Sequence, residues 1–418
     1  MTSPDAAGAD IRMRGFRQRA PVEEVWHWLE GWIQPATTEE VPVGAAHGRV
    51  LGETVTAPEP IPPFPRAAMD GYALRGAETV GAGPYNPLEF RVAGESLPGR
   101  PYPGALPAGG AVRIMTGAPV PEGADAVLPA EYAEEEGDRV AATADVPPRK
   151  HVGPTGEDVA EGEYLLDPGR VLRPQDAGLI ASLGRDRVQV VTAPRVRLVV
   201  TGDELAAPGT VRGAAQIYDA NSTVLRGLVD RDGGRVVRTE RVGDDPEAIR
   251  QLLTAGGADL VIVTGGSSVG AEDHAPRLLA EAGELAFHGV AMRPSAPTGL
   301  GRIGEVPVFL LPGNPVSCLA GYELFAGRAL RLLGGRDPEL PHPAIRARLA
   351  RKIASAVGRV DYCRVGLGAE GVEPIALSGA SILSSTTRAD GFVLVPADSE
   401  GYAPGTEVTV RLYDPVTA

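Results

Sequence analysis

The spacing of apolar positions changes along this chain, and each change predicts a different kind of element. Over 21–33 the pattern Val22-x-x-Val25-Trp26-x-Trp28-Leu29 recurs at helical spacing and predicts an amphipathic helix. Trp26 and Trp28 are read as packing residues rather than a binding platform, because aromatics on a short helix ordinarily serve a core or subunit contact. Segment 41–60 reads as a short helical or turn stretch followed by a strand over 49–57. A proline-rich run, 58–65, follows. Residues 85–148 alternate short β-like runs with Gly/Pro turns, which predicts a small β-rich domain. The chain is then punctuated by Gly and Pro to about 192, with a helix over 177–183 ended by Gly184.

From 195 to 335 the rhythm is different. Strand-like runs at 196–200, 235–242, 259–264 and 307–311 alternate with helical runs at 222–232, 246–255, 275–282 and 315–333. Such alternation indicates a parallel sheet with helices on both faces. Beyond about 340 the pattern is strands and turns, fitting a small β domain. The predicted fold class is therefore multidomain α/β plus β. Its expected segments are a disordered leader (1–20), a β-rich domain (61–148), a central α/β domain (195–338) and a C-terminal β domain (339–418), and the resemblance described below implies that 21–60 and 149–194 form one elongated linking domain.

The length of 418 residues agrees with several domains, at ~100–200 residues each. Aromatics are only 5% of a chain that is 43% apolar, so the cores must be built from Val, Leu, Ala and Ile. A formal net charge of −14 argues against a general nucleic-acid binder, which would be basic. It also means that an anionic substrate would have to be attracted by local groups. Cys318 and Cys363 have no ligand-like spacing, so neither a disulfide framework nor a Cys-based zinc site is expected, and the cytoplasm is the natural compartment. No apolar run approaches the ~18 residues of a membrane span. The N-terminus carries Arg12, Arg14, Arg17 and Arg19 without an apolar core, unlike a secretory signal. The six His show no metal-binding spacing.

Candidate chemistry concentrates in the α/β region. Ligands of open parallel sheets bind outside the carboxyl ends of the strands. Those ends read Thr201-Gly202-Asp203-Glu204, then Gly243-Asp244-Asp245-Pro246. Next come Thr264-Gly265-Gly266-Ser267-Ser268-Val269-Gly270 with Asp273, and finally Leu311-Pro312-Gly313-Asn314-Pro315. Glycine lets backbone approach a ligand closely, and free N–H groups at helix starts favour phosphate. Glu204, Asp244 and Asp273 would repel phosphate directly, but they suit a divalent cation bridging to it. Each piece has a bland explanation as well. Capping alone could account for Asp244, just before Pro246, and Gly265-Gly266 could be a tight turn. Four such ends on one rim are harder to explain that way. No P-loop pattern is present. By composition alone Asp70, the turn at Thr116 and the turn Gly156-Glu157-Asp158 read as turns, and no Ser–His–Asp or Cys–His set can be read from order.

Together the motifs resemble a known family. Ala68-Met69-Asp70-Gly71-Tyr72-Ala73, Arg113-Ile114-Met115-Thr116-Gly117-Ala118-Pro119-Val120-Pro121 and Gly123-Ala124-Asp125-Ala126-Val127 look like segments of the molybdopterin molybdenumtransferase (MoeA/gephyrin E-domain) family. Gly156-Glu157-Asp158, Thr201 to Leu205, Asp244-Asp245-Pro246, the loop from Gly265 with Asp273, and Leu311 to Pro315 follow in that family's order. The match runs over about 22–410. The resemblance implies a MogA-like central domain, four structural domains, and an elongated homodimer with its active site in a cleft between subunits. It implies insertion of molybdate into adenylylated molybdopterin with release of AMP, magnesium as the cation, and other proteins of molybdenum-cofactor biosynthesis as partners.

Carried over by motif, Asp70, Thr116, Asp158, Glu204, Asp244 and Asp273 would be catalytic, the last three also holding metal. Gly265, Gly266, Ser267, Ser268, Pro312, Gly313, Asn314 and Pro315 would hold pterin and phosphate. Arg293, Ser295, Arg364 and Ser385 match positions that contact oxyanion. The chain departs from the family where K-P-G-K-P is usual: here stand Arg293-Pro294-Ser295-Ala296-Pro297, which keep one cation and lose the other. Gly153-Pro154-Thr155 lacks the usual arginine before G-E-D, Ser267 replaces Val, and His274 replaces Tyr. Arg302, Arg364 or Arg388 would be the compensating charges. A diverged paralogue acting on another nucleotide-linked substrate, and a non-catalytic dimeric scaffold, are the competing readings.

Overall fold

A computed structural model of the protein describes residues 19–266, 274–376 and 379–414. The expected leader up to residue 18, and the candidate residues Ser267, Ser268 and Asp273, lie outside the described residues. The chain forms two compact units: one comprises 41–47 with 53–188, the other 1–40, 48–52 and 189–418.

The first unit is built on a six-stranded sheet. Its strands are β1 (Gly71–Leu74), β2 (Leu88–Ser96), β3 (Gly110–Ile114), β4 (Ala126–Pro129), β5 (Ala133–Glu136) and β6 (Arg139–Ala142), in the spatial order β4-β1-β3-β2-β6-β5. Only β2 and β3 pair in parallel. Alternation along β1 sends Tyr72 and Leu74 into a core with Phe90, Leu128 and Val140, while Ala73 packs on the opposite face with Ala67, Ile114 and Val127. The register needs a glycine at Gly71, where a Cβ would lie 1.9 Å from the Leu128 carbonyl oxygen. The strand expected over 49–57 is reduced to Val55–Thr56, paired with Tyr164–Leu166. Residues 48–52 belong to the other unit, where Leu51 bridges Val190. The run therefore breaks at Gly52, against which Thr38 packs so closely that a Cβ would meet its Cγ2 at 2.5 Å.

The second unit opens with helix α1 (Val22–Trp32) and contains β7 (Arg195–Thr201), β8 (Arg235–Val242), β9 (Leu260–Thr264), β10 (Glu284–His288), β11 (Met292–Arg293), β12 (Gly299–Ile303) and β13 (Val306–Leu311). The sheet order is β8-β7-β9-β13-β12-β10, with the first four strands parallel and the last two added antiparallel. The strands β10 and β12 were not expected from the pattern. Two glycines dilute the apolar signal of β12, and one of them, Gly301, lies where a Cβ would come within 1.8 Å of the Glu284 carbonyl oxygen.

Helices cover both faces of this sheet. On one, Leu198, Ile262, Phe309 and Leu311 pack against α1, α2 (Asn221–Arg231), α5 (Pro315–Gly321) and α6 (Gly327–Leu333). On the other, Val199, Val261, Val263 and Leu310 meet Ile249 and Leu253 of α3 (Pro246–Thr254) and Leu278 and Leu279 of α4 (Ala275–Ala282). The expected Trp packing is what the structure has: Trp26 donates Nε1–H to the Leu324 carbonyl at 2.8 Å, and Trp28 stands edge-on to Trp32 and Phe287.

The helix expected over 315–333 is present throughout, but it is not α-helical throughout. A wider π turn, Tyr322–Ala326, separates α5 from α6. It places Tyr322 and Glu323 together in a buried ionic cluster. The Tyr322 hydroxyl donates to Asp232 at 3.0 Å, and Glu323 pairs with Arg231 at 2.7 Å and His342 at 3.1 Å. The C-terminal part of the unit is a second sheet of β14 (Ala344–Arg348), β15 (Val360–Gly368), β16 (Gly371–Ala376), β17 (Gly391–Val395) and β18 (Glu407–Leu412). Their order is β11-β15-β17-β18-β14, with β16 on β15. A short helix, Ser384–Thr387, interrupts the expected run of strands. Among the described residues no helix is long and apolar enough to cross a membrane, and both cysteines are buried free thiols.

Candidate functional site

Four parallel strands release their chains at one rim of the central sheet, and each release point has a local reason. After β7, Gly202 adopts φ +141°, and a Cβ there would lie 2.5 Å from a Glu204 carboxylate oxygen. After β8, Asp245 caps α3 by accepting the Glu247 N–H at 3.0 Å, with Pro246 filling the first helical position. The capping explanation weighed for Asp244 therefore belongs to Asp245. Asp244 instead accepts the Asp203 N–H while donating its own N–H to Asp203, both at a long 3.4 Å. After β9, Gly265 has φ +92°, and a Cβ would sit 2.2 Å from the Thr201 carbonyl oxygen, so the turn lies flat against β7 only as glycine.

Helix α2 ties two of these turns together. Asn221 is buried and donates from Nδ2 to Thr264 Oγ1 and to the Gly313 carbonyl, both at 2.8 Å. Just before it, buried Asp219 accepts the backbone N–H of Ser222 at 3.0 Å and its hydroxyl at 2.5 Å. The result is a cavity of about 790 Å³ whose wall includes Glu204, Asp219, Asn221, Asp244, Gly265, Gly266, Pro312, Gly313, Asn314, Pro315 and Ser381. Thus the expected Glu204, Asp244, both described glycines and the whole Pro312-to-Pro315 turn share one cavity. It carries three carboxylates and, among its described lining residues, no cation.

A second cavity, of about 420 Å³, shares Pro297, Pro312 and Asn314 with the first. Its charge is opposite. Arg19, Arg293 and Arg359 line it together with Ser295 and Ser317, and no described lining residue is acidic. Arg293 donates Nη2–H to Asp361 at 2.6 Å, and Ser295 shares a 2.8 Å hydrogen bond with Thr298. Arg364 and Ser385 do not line either cavity. Arg364 is fully buried in β15, and burial pushes its pKa down. The buried Ser385 hydroxyl donates to the Ile382 carbonyl at 2.6 Å. Of the arginines expected to compensate for Ala296, Arg302 is paired with Glu284 at 2.7 Å and stacked over Trp32, while Arg388 is exposed.

In the first unit, Asp70 and Thr116 meet directly. The Thr116 N–H and hydroxyl both donate to Asp70 Oδ1 at 2.7 Å, and the backbone bond first, the hydroxyl second, hold the Asp70 pKa below the usual carboxylate range. Asp158 is exposed in a turn anchored by its N–H to the Ile61 carbonyl at 3.0 Å.

Pattern reading missed Asp219, Asn221, Ser381 and Arg359. The first two had a signal: the polar pair flanking Ala220 stands where a helix-start residue belongs. Ser381 and Arg359 had none, because they lie more than sixty residues from Asn314 and Arg293. For a cation, the described residues contain no group of three or more His, Cys, Asp or Glu that could hold one. Glu204 and Asp244 nonetheless present only carboxylate oxygen, the chemistry that suits magnesium, which takes one or two carboxylates and keeps several waters.

Residues 20–184 match the MoeA N-terminal region (domain I and II), 197–332 a probable molybdopterin binding domain, and 346–413 the MoeA C-terminal region (domain IV). The molybdopterin molybdenumtransferase 2 of Mycobacterium tuberculosis is 38% identical over 381 residues, 88% of this chain and 94% of the relative. A molybdopterin molybdenumtransferase of Haemophilus influenzae is 31% identical over 395 residues, 92% and 96% of the two chains. The crystal structure of a molybdopterin biosynthesis MoeA protein from Pyrococcus horikoshii superposes with a TM-score of 0.83 at 31% identity, covering 96% of this chain and all of that one.

Proposed function

The chain belongs to the MoeA family of molybdopterin molybdenumtransferases, which works in molybdenum-cofactor biosynthesis, and on that premise we propose that it inserts molybdate into adenylylated molybdopterin with release of AMP. One observation carries the reading. Two cavities of opposite charge adjoin across a shared wall of Pro297, Pro312 and Asn314. An acidic cavity suits a phosphate only with a bridging cation, and a basic cavity suits an oxyanion. A reaction that brings an anionic metal oxide to a pyrophosphate-bearing pterin needs both, side by side.

In this reading Glu204 and Asp244, with Asp273, would hold a magnesium ion, which would supply charge neutralisation at the pyrophosphate. The glycine turn at Gly265-Gly266 and the turn from Pro312 to Pro315 bring backbone close to the pterin phosphate. Asn221 fixes the distance between these turns. Water attacks the phosphorus of the anhydride, one P–O bond breaks, and AMP leaves; the two dithiolene sulfurs bond the metal of the oxyanion held next door, one metal–oxygen bond breaks, and that oxygen leaves as water with the two thiol protons. The protein contributes positioning and electrostatics, the usual means of catalysing phosphoanhydride cleavage. Asp70, Thr116 and Asp158 are assigned to the same reaction on the motif match alone, as is the homodimeric assembly.

The test is AMP release from adenylylated molybdopterin with magnesium, with and without molybdate. Molybdate-dependent release is expected. Tight binding without release in either condition refutes the proposal and favours a scaffold, while release indifferent to molybdate favours a paralogue with another substrate.

A further inference from the structure

The basic cavity has a further arginine, Arg359, on the lining to which Ala296 and Arg293 also belong. Ala296 lies on the cavity wall where a second cation would be usual, beside Arg293. The strand β11 runs parallel to β15 in a register that sets Met292 opposite Val360 and Arg293 opposite Asp361. Arg359, one residue before β15, is thereby brought to the same wall, and a hydrogen bond from Val360 N–H to the Ala291 carbonyl at 2.9 Å fixes the approach. Beneath the wall, Asp361 is fully buried. Its Oδ2 accepts Arg293 Nη2–H at 2.6 Å and the Ser355 hydroxyl at 2.8 Å, and its Oδ1 accepts Arg359 Nε–H at 3.0 Å.

From this arrangement we infer that Arg359 is the second cation of the oxyanion subsite, and that Asp361 is the positioning residue that aims both guanidiniums into it. A guanidinium has several donors in a fixed fork, and these contacts to Asp361 use only Nη2 of Arg293 and Nε of Arg359. Asp361, fully buried and held by three hydrogen bonds, anchors one nitrogen of each guanidinium. The Nε of Arg293 is itself buried without a hydrogen-bond partner, a cost that a bound anion would offset. With Arg19 also lining the cavity, three positive charges stand against the single buried negative charge of Asp361. The balance suits a dianion such as molybdate, and it answers how a chain of net charge −14 draws one in. The identity of the anion rests on the function proposed above; the assignment of Arg359 does not.

The experiment measures molybdate binding to the full chain by calorimetry without pterin substrate, and in parallel the KM for molybdate in AMP release. Arg359→Ala is expected to weaken molybdate binding and raise that KM by roughly tenfold or more, the scale of a lost charge-assisted contact, with the KM for the pterin substrate unchanged. Restoring the family's lysine, Ala296→Lys on the Arg359→Ala background, is expected to recover most of the loss. A purely structural arginine would not be rescued from position 296. Should Arg359→Ala fail to fold, Arg359→Gln removes the charge while keeping a donor for Asp361. Unchanged molybdate binding in the folded variant, or loss without rescue by Lys at 296, overturns the inference. A wild-type chain that binds sulfate as well as molybdate counts against the proposed function instead, while one that binds neither anion has no such subsite and overturns the inference.

Discussion

Asn221 is the residue whose removal most directly tests the construction of the rim. It joins the start of α2 to the turns after β9 and β13 through two 2.8 Å hydrogen bonds. Each such bond is worth about 0.5–1.5 kcal/mol net, so Asn221→Ala should cost about 1–3 kcal/mol. Gly313 lies on the cavity wall, where water can take up part of the lost bonding, so the lower half of that range is expected. At ~2–4 °C per kcal/mol for a unit of this size, the melting temperature should fall by about 2–8 °C. Asn221→Asp is the sharper perturbation, because an ionised carboxylate cannot donate. It would face the Gly313 carbonyl oxygen at close range and add a fourth carboxylate to a cavity that already has three. At pH 8 it should be less stable than Asn221→Ala, and the two should converge at acid pH as the new carboxyl protonates and regains a donor. The three tryptophans, Trp26, Trp28 and Trp32, all pack in the core shared with α2, so urea or thermal unfolding followed by tryptophan fluorescence reports on this unit. An Asp variant as stable as the Ala variant at pH 8, or a cost below about 0.5 kcal/mol for Ala, would refute the idea that Asn221 holds the rim together.

Three further outcomes follow from the same structure. Gly265→Ala should destabilise markedly and distort the acidic cavity, because its Cβ would lie 2.2 Å from the Thr201 carbonyl at a φ of +92°, whereas Gly313→Ala, with nothing nearer than 3.6 Å, should fold normally; paired thermal melts distinguish them. Burial works to raise the Glu323 pKa, but hydrogen bonds from His342 and Arg231 outweigh it and hold the carboxylate down at about 2. A lowered folded pKa means that Glu323 stabilises above its unfolded pKa of ~4.3 and that this contribution is lost as pH falls towards 2; Glu323→Gln should therefore cost about 3–5 kcal/mol at neutral pH and flatten the acid limb of a stability–pH curve. Thr116→Val removes only the hydroxyl donor to Asp70, so the Asp70 pKa measured by NMR titration should rise part of the way to its ordinary value, the backbone bond being the larger cause.

Much of this protein was legible in its sequence because the signals were local. The helical period of α1, the strand–helix alternation from β7 to α5, and the Gly- and Pro-bearing turns at Thr201, Asp244, Gly265 and Pro312 each depend on residues a few positions apart, where backbone sterics and burial act directly. The elements that were missed or misjudged depend on distant partners. The strand β12 is glycine-bearing because another backbone passes within contact of Gly301. The π turn at Tyr322 serves Asp232 and Arg231, ninety residues away. The cap at α3 passed from Asp244 to Asp245 by one residue, a matter of backbone geometry that composition does not resolve.

The site divides the same way. The sequence by itself determined which turns carry the carboxylates and glycines, since β7, β8, β9 and β13 must all end on one rim once they lie parallel. It could not determine that Asn221 cross-ties two of those turns, or that Arg359 stands beside Arg293. Those facts exist only when β11 and β15 pair and α2 docks, because side chains far apart in sequence acquire a distance, and hence an interaction energy, only from the tertiary fold.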